Sequence, residues 1–265
     1  MNFDSLLGPS FPELGWVPAP RYLLRRARIM SLAQDLEPGR LIEPGPGAAS
    51  LLIEFARKGF ACEGVEVSDE ARALAERAVA AAGLSIPLHP APDPSWAGRF
   101  DLVFSFDVLE HIRDDRSALA QWASWLRPGG TILLSVPARM SLWSPGDEWA
   151  GHYRRYERSQ LRDMLTAAGF EIERLECYGY PLANLAEWVS AGSYRRRIRG
   201  GSGSDEQDRR ANNDRSGIDR GPHMRLFPWL NSAPGRVALR GALAAQKAFL
   251  QRDLGNGYIV RAHRR

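Results

Sequence analysis

Between residues 40 and 136 the chain alternates short apolar runs with longer stretches of mixed polarity. The runs are RLIE (40–43), ACEGVEV (61–67), SIPLHP (85–90), FDLVFSF (100–106) and GTILLSV (130–136). Apolar runs this short predict strands, and their nearly unbroken character fits burial on both faces. The stretches between them, Ser50 to Lys58, Asp69 to Ala82 and Ser117 to Leu126, carry apolar residues at helical spacing. Strands alternating with helices predict a parallel sheet with helices on both sides. Ser68 is placed to cap the helix that opens at Asp69, and RPGG (127–130) supplies a helix stop and the turn into the fifth strand.

Beyond Val136 the pattern changes. Residues 137–156 read as a loop rich in Gly, Pro, Trp and Tyr, followed by a helix in ERSQLRDMLTAAGF that Gly169 closes. FEIERLECYGY (170–180) and GYIVRAH (257–263) alternate as strands and would pair as a long-range hairpin, completing seven strands. The connection between them runs for about 75 residues, far longer than an ordinary loop. Its polar half, 192–225, is expected to be mobile. Within 226–254, Val237, Leu239, Leu243, Ala244 and Leu250 are expected on one side of a helix that acts as a lid or docks over the open edge of the sheet. The predicted organisation is therefore a cap at 1–34, a core at 35–180, an insertion at 181–256 and a last core strand at 257–265.

The net charge of +4 lies in one place: residues 193–225 hold nine arginines against five acids, and the rest of the chain balances. A local surplus of this kind does not make a nucleic-acid-binding face, and no nucleic-acid partner is expected. Contact of 193–225 with a membrane surface or a protein partner stays open, as does the oligomeric state. No stretch approaches the roughly 18 apolar residues of a membrane span, and the first residues lack the pattern of a signal peptide, so a cytoplasmic location is expected. Cys62 and Cys177 sit inside apolar strands as reduced thiols.

The loop EPGPGAAS (43–50) follows the first strand and opens the first helix, a position where backbone N–H groups face the ligand crevice of an α/β sheet. A dinucleotide loop would carry a third Gly, or an Ala, where Ser50 stands, and it would not place Glu43 at its base. That carboxylate repels a pyrophosphate and favours a ligand bearing ammonium and sulfonium charges.

Four stretches in order, LIEPGPGAAS, GVEVSDEA (64–71), FDLVFSFDVLEHI (100–112) and LRPGGTILLSVP (126–137), resemble the class I S-adenosylmethionine-dependent methyltransferases over about residues 35–180. The run from Asp147 through GHYRRY to Phe170 resembles their small-molecule type 11 and type 23 subgroups, relatives of the ubiquinone-biosynthesis O-methyltransferases. The resemblance implies a Rossmann-like, seven-stranded, mostly parallel sheet with an antiparallel last strand, and S-adenosylmethionine as cofactor. It also implies roles. Gly45 and Gly47 would let the backbone approach the methionine portion, and Glu66 would accept hydrogen bonds from the ribose hydroxyls. Val67 would face the adenine, Asp93 would accept from the adenine amino group, and Phe106 and Asp107 would line the methionine end. Ala49 stands where the family usually has Gly, a departure that costs little unless the backbone there has positive φ. Glycines at 45 and 47 also suit an ordinary turn, and Glu66 a solvated strand end.

The implied reaction is methyl transfer to a small-molecule acceptor, at an oxygen of a hydroxyl or carboxylate in a specialised-metabolite or cofactor pathway. Carbon or nitrogen methylation, and a non-catalytic binding subunit with this fold, are the alternatives. Methylation of nucleic-acid amino groups is disfavoured, because SFDVLEH stands where an Asn/Asp-Pro-Pro-aromatic motif would follow the fourth strand. His152 is the candidate base facing the acceptor, or a brace of its loop; His111 is a second candidate with a structural hydrogen bond as the competing role. Tyr153, Arg154 and Tyr156 beside His152 are expected at the acceptor, with Trp16 and Tyr22 covering the site from the N-terminal helix. Arg25 is expected to close over the cofactor with them. Asp107, Glu110 and His111, read as one helical face, resemble an acid-x-x-Glu-His run linked to magnesium in the ubiquinone enzymes. These groups suit local capping equally, and no metal site is expected.

Overall fold

The computed structural model describes residues 2–199, 212–213 and 217–265. The runs 40–43, 61–67, 85–90, 100–106 and 130–136 become β3 (Arg40–Pro44), β4 (Ala61–Val65), β5 (Leu88–His89), β6 (Phe100–Phe106) and β7 (Leu126–Pro137). β5 is much shorter than its apolar run. β8 (Phe170–Tyr178) and β9 (Gly257–Arg264) complete a seven-stranded sheet of order β5-β4-β3-β6-β7-β9-β8. β3 to β7 pair in parallel, and β9 runs antiparallel between β7 and β8. The order reverses direction beside β3, so the loops after β3 and β6 leave the same end of the sheet on either side of one crevice.

Alternate residues of each central strand feed two cores. Leu41, Leu102 and Leu133 pack on one face with α2 (Ser50–Ala56), α3 (Asp69–Ala81) and the N-terminal segment, while Ile42, Val103 and Ile132 pack on the other with α4 (Asp115–Trp125) and α6 (Arg158–Ala167). Both faces of these strands are dry, which is why they read as unbroken apolar runs. Ser68 caps α3 as expected, its Oγ accepting from the Ala71 N–H at 3.3 Å.

The N-terminal segment forms a hairpin of β1 (Asn2–Asp4) and β2 (Gly8–Ser10) followed by α1 (Pro20–Leu32). Proline at the first position of α1 suits a helix start, where no amide hydrogen is needed. Two buried ion pairs lock α1 down: Arg26 to Glu54 of α2, and Arg28 to Glu176 of β8 with Nε 2.8 Å from Oε2. Removing one partner of such a pair strands the other charge in a dry place.

The long connection carries α7 (Leu182–Arg199), α8 (Gly221–Leu230) and α9 (Ala233–Lys247). Both ends of the polar half expected to be mobile are therefore helical, and 200–211 and 214–216 lie outside the described residues. Just past α9 the Leu250 carbonyl accepts from the Cys177 N–H of the edge strand β8 at 2.8 Å, and α9 leads up to that contact. The helix lies beside α1, where Gln246 donates to the Leu24 carbonyl at 3.1 Å and accepts from the Gly179 N–H at 3.3 Å. Leu239 and Leu250 are buried as expected, but Val237 is 66% exposed. A further helix, α5 (Pro145–Ala150), replaces part of the loop expected at 137–156; Ser144 and Asp147 form its capping box.

Candidate active site

The loop between β3 and α2 twists through three left-handed residues: Gly45 (φ +66), Gly47 (φ +56) and Ala49 (φ +54). A side chain at Gly45 would come within 2.6 Å of Val108, so space as well as conformation demands glycine. At Gly47 only the conformation does, since a Cβ would meet nothing nearer than the Gly217 carbonyl at 3.7 Å. The positive φ at Ala49 meets the one condition under which its methyl is expected to be costly: left-handed backbone disfavours an L-residue by roughly 1–2 kcal/mol.

Glu66, one residue past β4, reaches back to this loop. Its Oε2 accepts from the Gly47 N–H at 3.2 Å and its Oε1 from the Ser68 N–H at 3.1 Å. Val67 beside it is 71% exposed, an apolar surface open at the carboxyl end of the sheet. Asp93 is also exposed, but it serves as a cap: Oδ1 accepts from the Ser95 N–H at 2.8 Å, a bond that holds its carboxyl below the usual range.

A cavity of about 450 Å³ opens above the loop. Glu43, Gly45 and Gly47 line it, and so do Trp16 and Tyr22 from the N-terminal segment. The Tyr22 hydroxyl lies 2.9 Å from Ser50 Oγ and is pushed up to about 12 by burial. Trp16 packs edge-on to Tyr22. Burial pushes the Glu43 carboxyl up to about 8, with Arg25 opposing and Glu66 adding to the shift, and its Oε2 has no hydrogen-bond partner. A cation entering the cavity would restore the ionised form.

Phe106 and Asp107 line the cavity at the end of β6. Asp107 has φ +55, and its carboxylate pairs with Arg25, lies 3.7 Å from Arg21 and accepts from Ser135 Oγ at 2.9 Å. Burial alone would raise this carboxyl, but Arg25 and Arg21 outweigh it and hold it well below the carboxylate range. Arg21 Nε and Arg25 Nε are buried in the cavity wall without hydrogen-bond partners.

His111 and His152 line the same cavity. The expected helical face of Asp107, Glu110 and His111 does not form. Only Leu109–His111 make a single 3₁₀ turn, and the left-handed Asp107 turns its carboxylate to the arginines. His152 arrives instead from the segment after α5, with its ring edge-on to His111 at 4.6 Å between centroids and Nε2 3.9 Å from Glu110 Oε1. His152 Nδ1 lies 2.8 Å from Asp147 Oδ1. Asp147 also accepts from Arg155 Nε and Nη2 at 2.8 and 2.7 Å and from the Ser144 N–H at 2.8 Å. Although burial works against ionisation, the bonds from His152 and Arg155 keep this carboxyl well below its usual range. An ionised carboxylate can only accept, so in this bond Nδ1 of His152 is the donor. Burial, reinforced by His152, pushes His111 down to about 3, so this ring is neutral at physiological pH. Glu110 is fully buried with both oxygens unpartnered, and burial plus the Asp107 charge push its carboxyl well up.

Three residues expected at the acceptor do not line the cavity. Arg154 pairs with Asp115 at 2.6 Å and donates to the Arg113 carbonyl at 2.7 Å; Tyr156 is fully buried and donates to Asp115 at 2.9 Å. The Tyr153 N–H donates to the Glu110 carbonyl at 2.9 Å, and Arg154 lies over its ring. Arg154 and Tyr156 brace the segment against the start of α4, where Asp115 stands in the first turn, and Tyr153 ties it to the 3₁₀ turn at Leu109–His111. Arg155, which the sequence suggests for greeting an anionic acceptor, is instead buried and paired with Asp147 and with Glu187 of α7; Arg21, Asp147 and Glu187 carry no expected role. The Ser-x-x-Asp spacing at 144–147 signals a cap, and it hides the second task of Asp147.

The family described as a methyltransferase domain matches residues 19–175. The chain belongs to that family. The methyltransferase class and the S-adenosylmethionine cofactor expected from its motifs agree with this membership. A Mycolicibacterium smegmatis protein named "probable S-adenosylmethionine-dependent methyltransferase" is 37% identical over 87 residues, 32% of each chain. The chain therefore spans about a third of that relative. A ubiquinone biosynthesis O-methyltransferase of Xanthomonas axonopodis pathovar citri is 27% identical over 58% of this chain and 72% of its own. Among solved structures, an S-adenosylmethionine-dependent methyltransferase of Mesorhizobium loti superposes with a TM-score of 0.53, covering 93% of this chain and 98% of the other at 16% identity; this likeness is one of fold. No helix among the described residues is long and apolar enough to cross a membrane.

Proposed function

We propose that this methyltransferase transfers the methyl group of S-adenosylmethionine to an oxygen of a small-molecule acceptor. The observation that carries the reading is that one cavity is lined both by the glycine loop with Glu43 and by two imidazoles, those of His111 and His152. Glu66 accepts from the ribose hydroxyls, and Val67 covers the adenine. Glu43 answers the ammonium of the methionine portion, and Arg21 and Arg25 present unpartnered N–H groups to its carboxylate. Phe106 and Asp107 close the methionine end.

Methyl transfer from a sulfonium is an in-line displacement, so most of the catalysis is positioning. A hydroxyl acceptor must also give up its proton as the new bond forms. The His152 Nε2 lone pair, fixed by Asp147, is the group in the cavity wall oriented for that oxygen. Equilibrium binding of S-adenosylmethionine, followed by a screen of hydroxylated small molecules for methyl uptake, tests the reading. Cofactor binding without transfer to any oxygen acceptor would refute the assignment to oxygen.

A further inference from the structure

We propose that Glu110, His111 and His152 form a binding site for one borderline divalent transition metal of the Zn²⁺ class, whose open position faces the acceptor. Potential ligand atoms of these three residues lie within 4.8 Å of one another. The Glu110 side chain is fully buried, yet neither carboxylate oxygen has a hydrogen-bond partner, and His111 Nδ1 is likewise buried without one. Buried polar atoms left in this state are costly and call for an occupant.

The ligand chemistry selects the ion. Two imidazoles and one carboxylate suit zinc and its neighbours, whereas magnesium demands oxygen ligands in near-octahedral array. The acid that would supply more oxygen, Asp107, is already engaged by Arg25, Arg21 and Ser135. The acid-x-x-Glu-His magnesium set therefore does not fit this chain: Asp107 leaves it and His152 enters from another segment. The 3.9 Å between His152 Nε2 and Glu110 Oε1 exceeds by little the roughly 3.3 Å separating ligands of a tetrahedral ion bound at about 2.0–2.1 Å.

The surroundings also match. Metal-binding histidines characteristically donate their second ring N–H to a carboxylate, and His152 does so to Asp147, which Arg155 and Ser144 in turn hold still. Three protein ligands leave a fourth position open, and His111 and His152 both line the cavity, so that position faces the proposed acceptor. With the ion in place the His152 Nε2 lone pair would serve as a ligand and not as the base, and an acceptor oxygen at the fourth position would instead be made acidic enough to release its proton to solvent. The inference deepens the proposed function and rests on the acceptor approaching this wall of the cavity.

The test is metal uptake by the full chain after stripping with a chelator, read by elemental analysis, Zn²⁺ titration and the visible absorption of added Co²⁺. One ion per chain is expected in the wild type and in Asp107→Asn, with the intense Co²⁺ bands of a low-coordinate nitrogen site. Glu110→Gln and His152→Ala should each weaken Zn²⁺ binding at least a hundredfold, and millimolar Mg²⁺ should not compete. His152→Gln, with circular dichroism on every variant, separates loss of a ligand from loss of the fold. No stoichiometric uptake by the folded wild type, uptake that survives both ligand substitutions, uptake abolished by Asp107→Asn in a folded protein, or displacement by Mg²⁺ would each overturn the site. S-adenosylmethionine affinity measured alongside tells this failure from failure of the proposed function, because the glycine loop and Glu66 stand apart from the three ligands.

Discussion

The glycine loop and the histidine wall face one cavity, but they are built in different ways. The loop is local and largely backbone: residues 43–50 carry their own left-handed turns, and Glu66, just past the next strand, ties them by accepting from the Gly47 N–H. The wall is assembled from side chains of two segments, the 3₁₀ turn after β6 and the stretch after α5, and Asp147 and Arg155 hold it in place. A site made of backbone conformations tolerates few sequences and leaves a readable motif. A site made of side chains brought together by tertiary contacts leaves only scattered polar residues.

If the two halves are separable in this way, substitutions should divide cleanly between binding and turnover. His152→Ala is expected to lower kcat about a thousandfold while leaving S-adenosylmethionine affinity within roughly twofold of wild type. Initial rates at saturating cofactor, with calorimetric binding in parallel, check this; a matching loss of cofactor affinity would mean the halves are one unit.

A smaller effect should appear on the loop side as a pH dependence. Glu43 lies near 8 in the free protein, far above its ordinary 4.5. Because a bound cation favours the ionised carboxylate, affinity must rise with pH below about 8, by at most about tenfold per unit, and level off above it. Comparing wild type with Glu43→Gln cancels the titration of the ligand itself. Equal slopes for the two proteins would contradict the role given to Glu43.

The smallest effect concerns Ala49. Replacing it with glycine relieves roughly 1–2 kcal/mol of left-handed strain and gives up about 0.8 kcal/mol of buried methyl. The net gain expected in thermal or urea unfolding is therefore a few tenths of a kcal/mol, up to about 1. Destabilisation by Ala49→Gly would show that packing of the methyl outweighs conformation.

The contrast also explains what the sequence could and could not say. The parallel core was legible because strands buried on both faces write continuous apolar runs, and Glu43, Gly45, Gly47 and Phe106 lie at their ends. The helical reading of Asp107, Glu110 and His111 failed on one dihedral angle, because the spacing i, i+3, i+4 contains no sign of the left-handed Asp107. Arg154 and Tyr156 were misplaced for a related reason. Their partner Asp115 lies some forty residues upstream, and nothing local distinguishes a guanidinium that braces from one that binds. Val237 is exposed, while the opposite side of α9 holds Gln246 between the Leu24 carbonyl and the Gly179 N–H, a long-range arrangement that helical spacing alone does not specify.

The central claim is that the loop with Glu66 seats S-adenosylmethionine independently of the histidine wall. Calorimetric titration of S-adenosylmethionine into folded wild type, His152→Ala and Glu66→Ala tests it most directly. One site per chain is expected in the first two and a loss of about a thousandfold, roughly 4 kcal/mol, in Glu66→Ala, if the proposed charge-assisted bonds to both ribose hydroxyls are what it removes. No binding by the wild type, or binding that Glu66→Ala leaves intact, would contradict it.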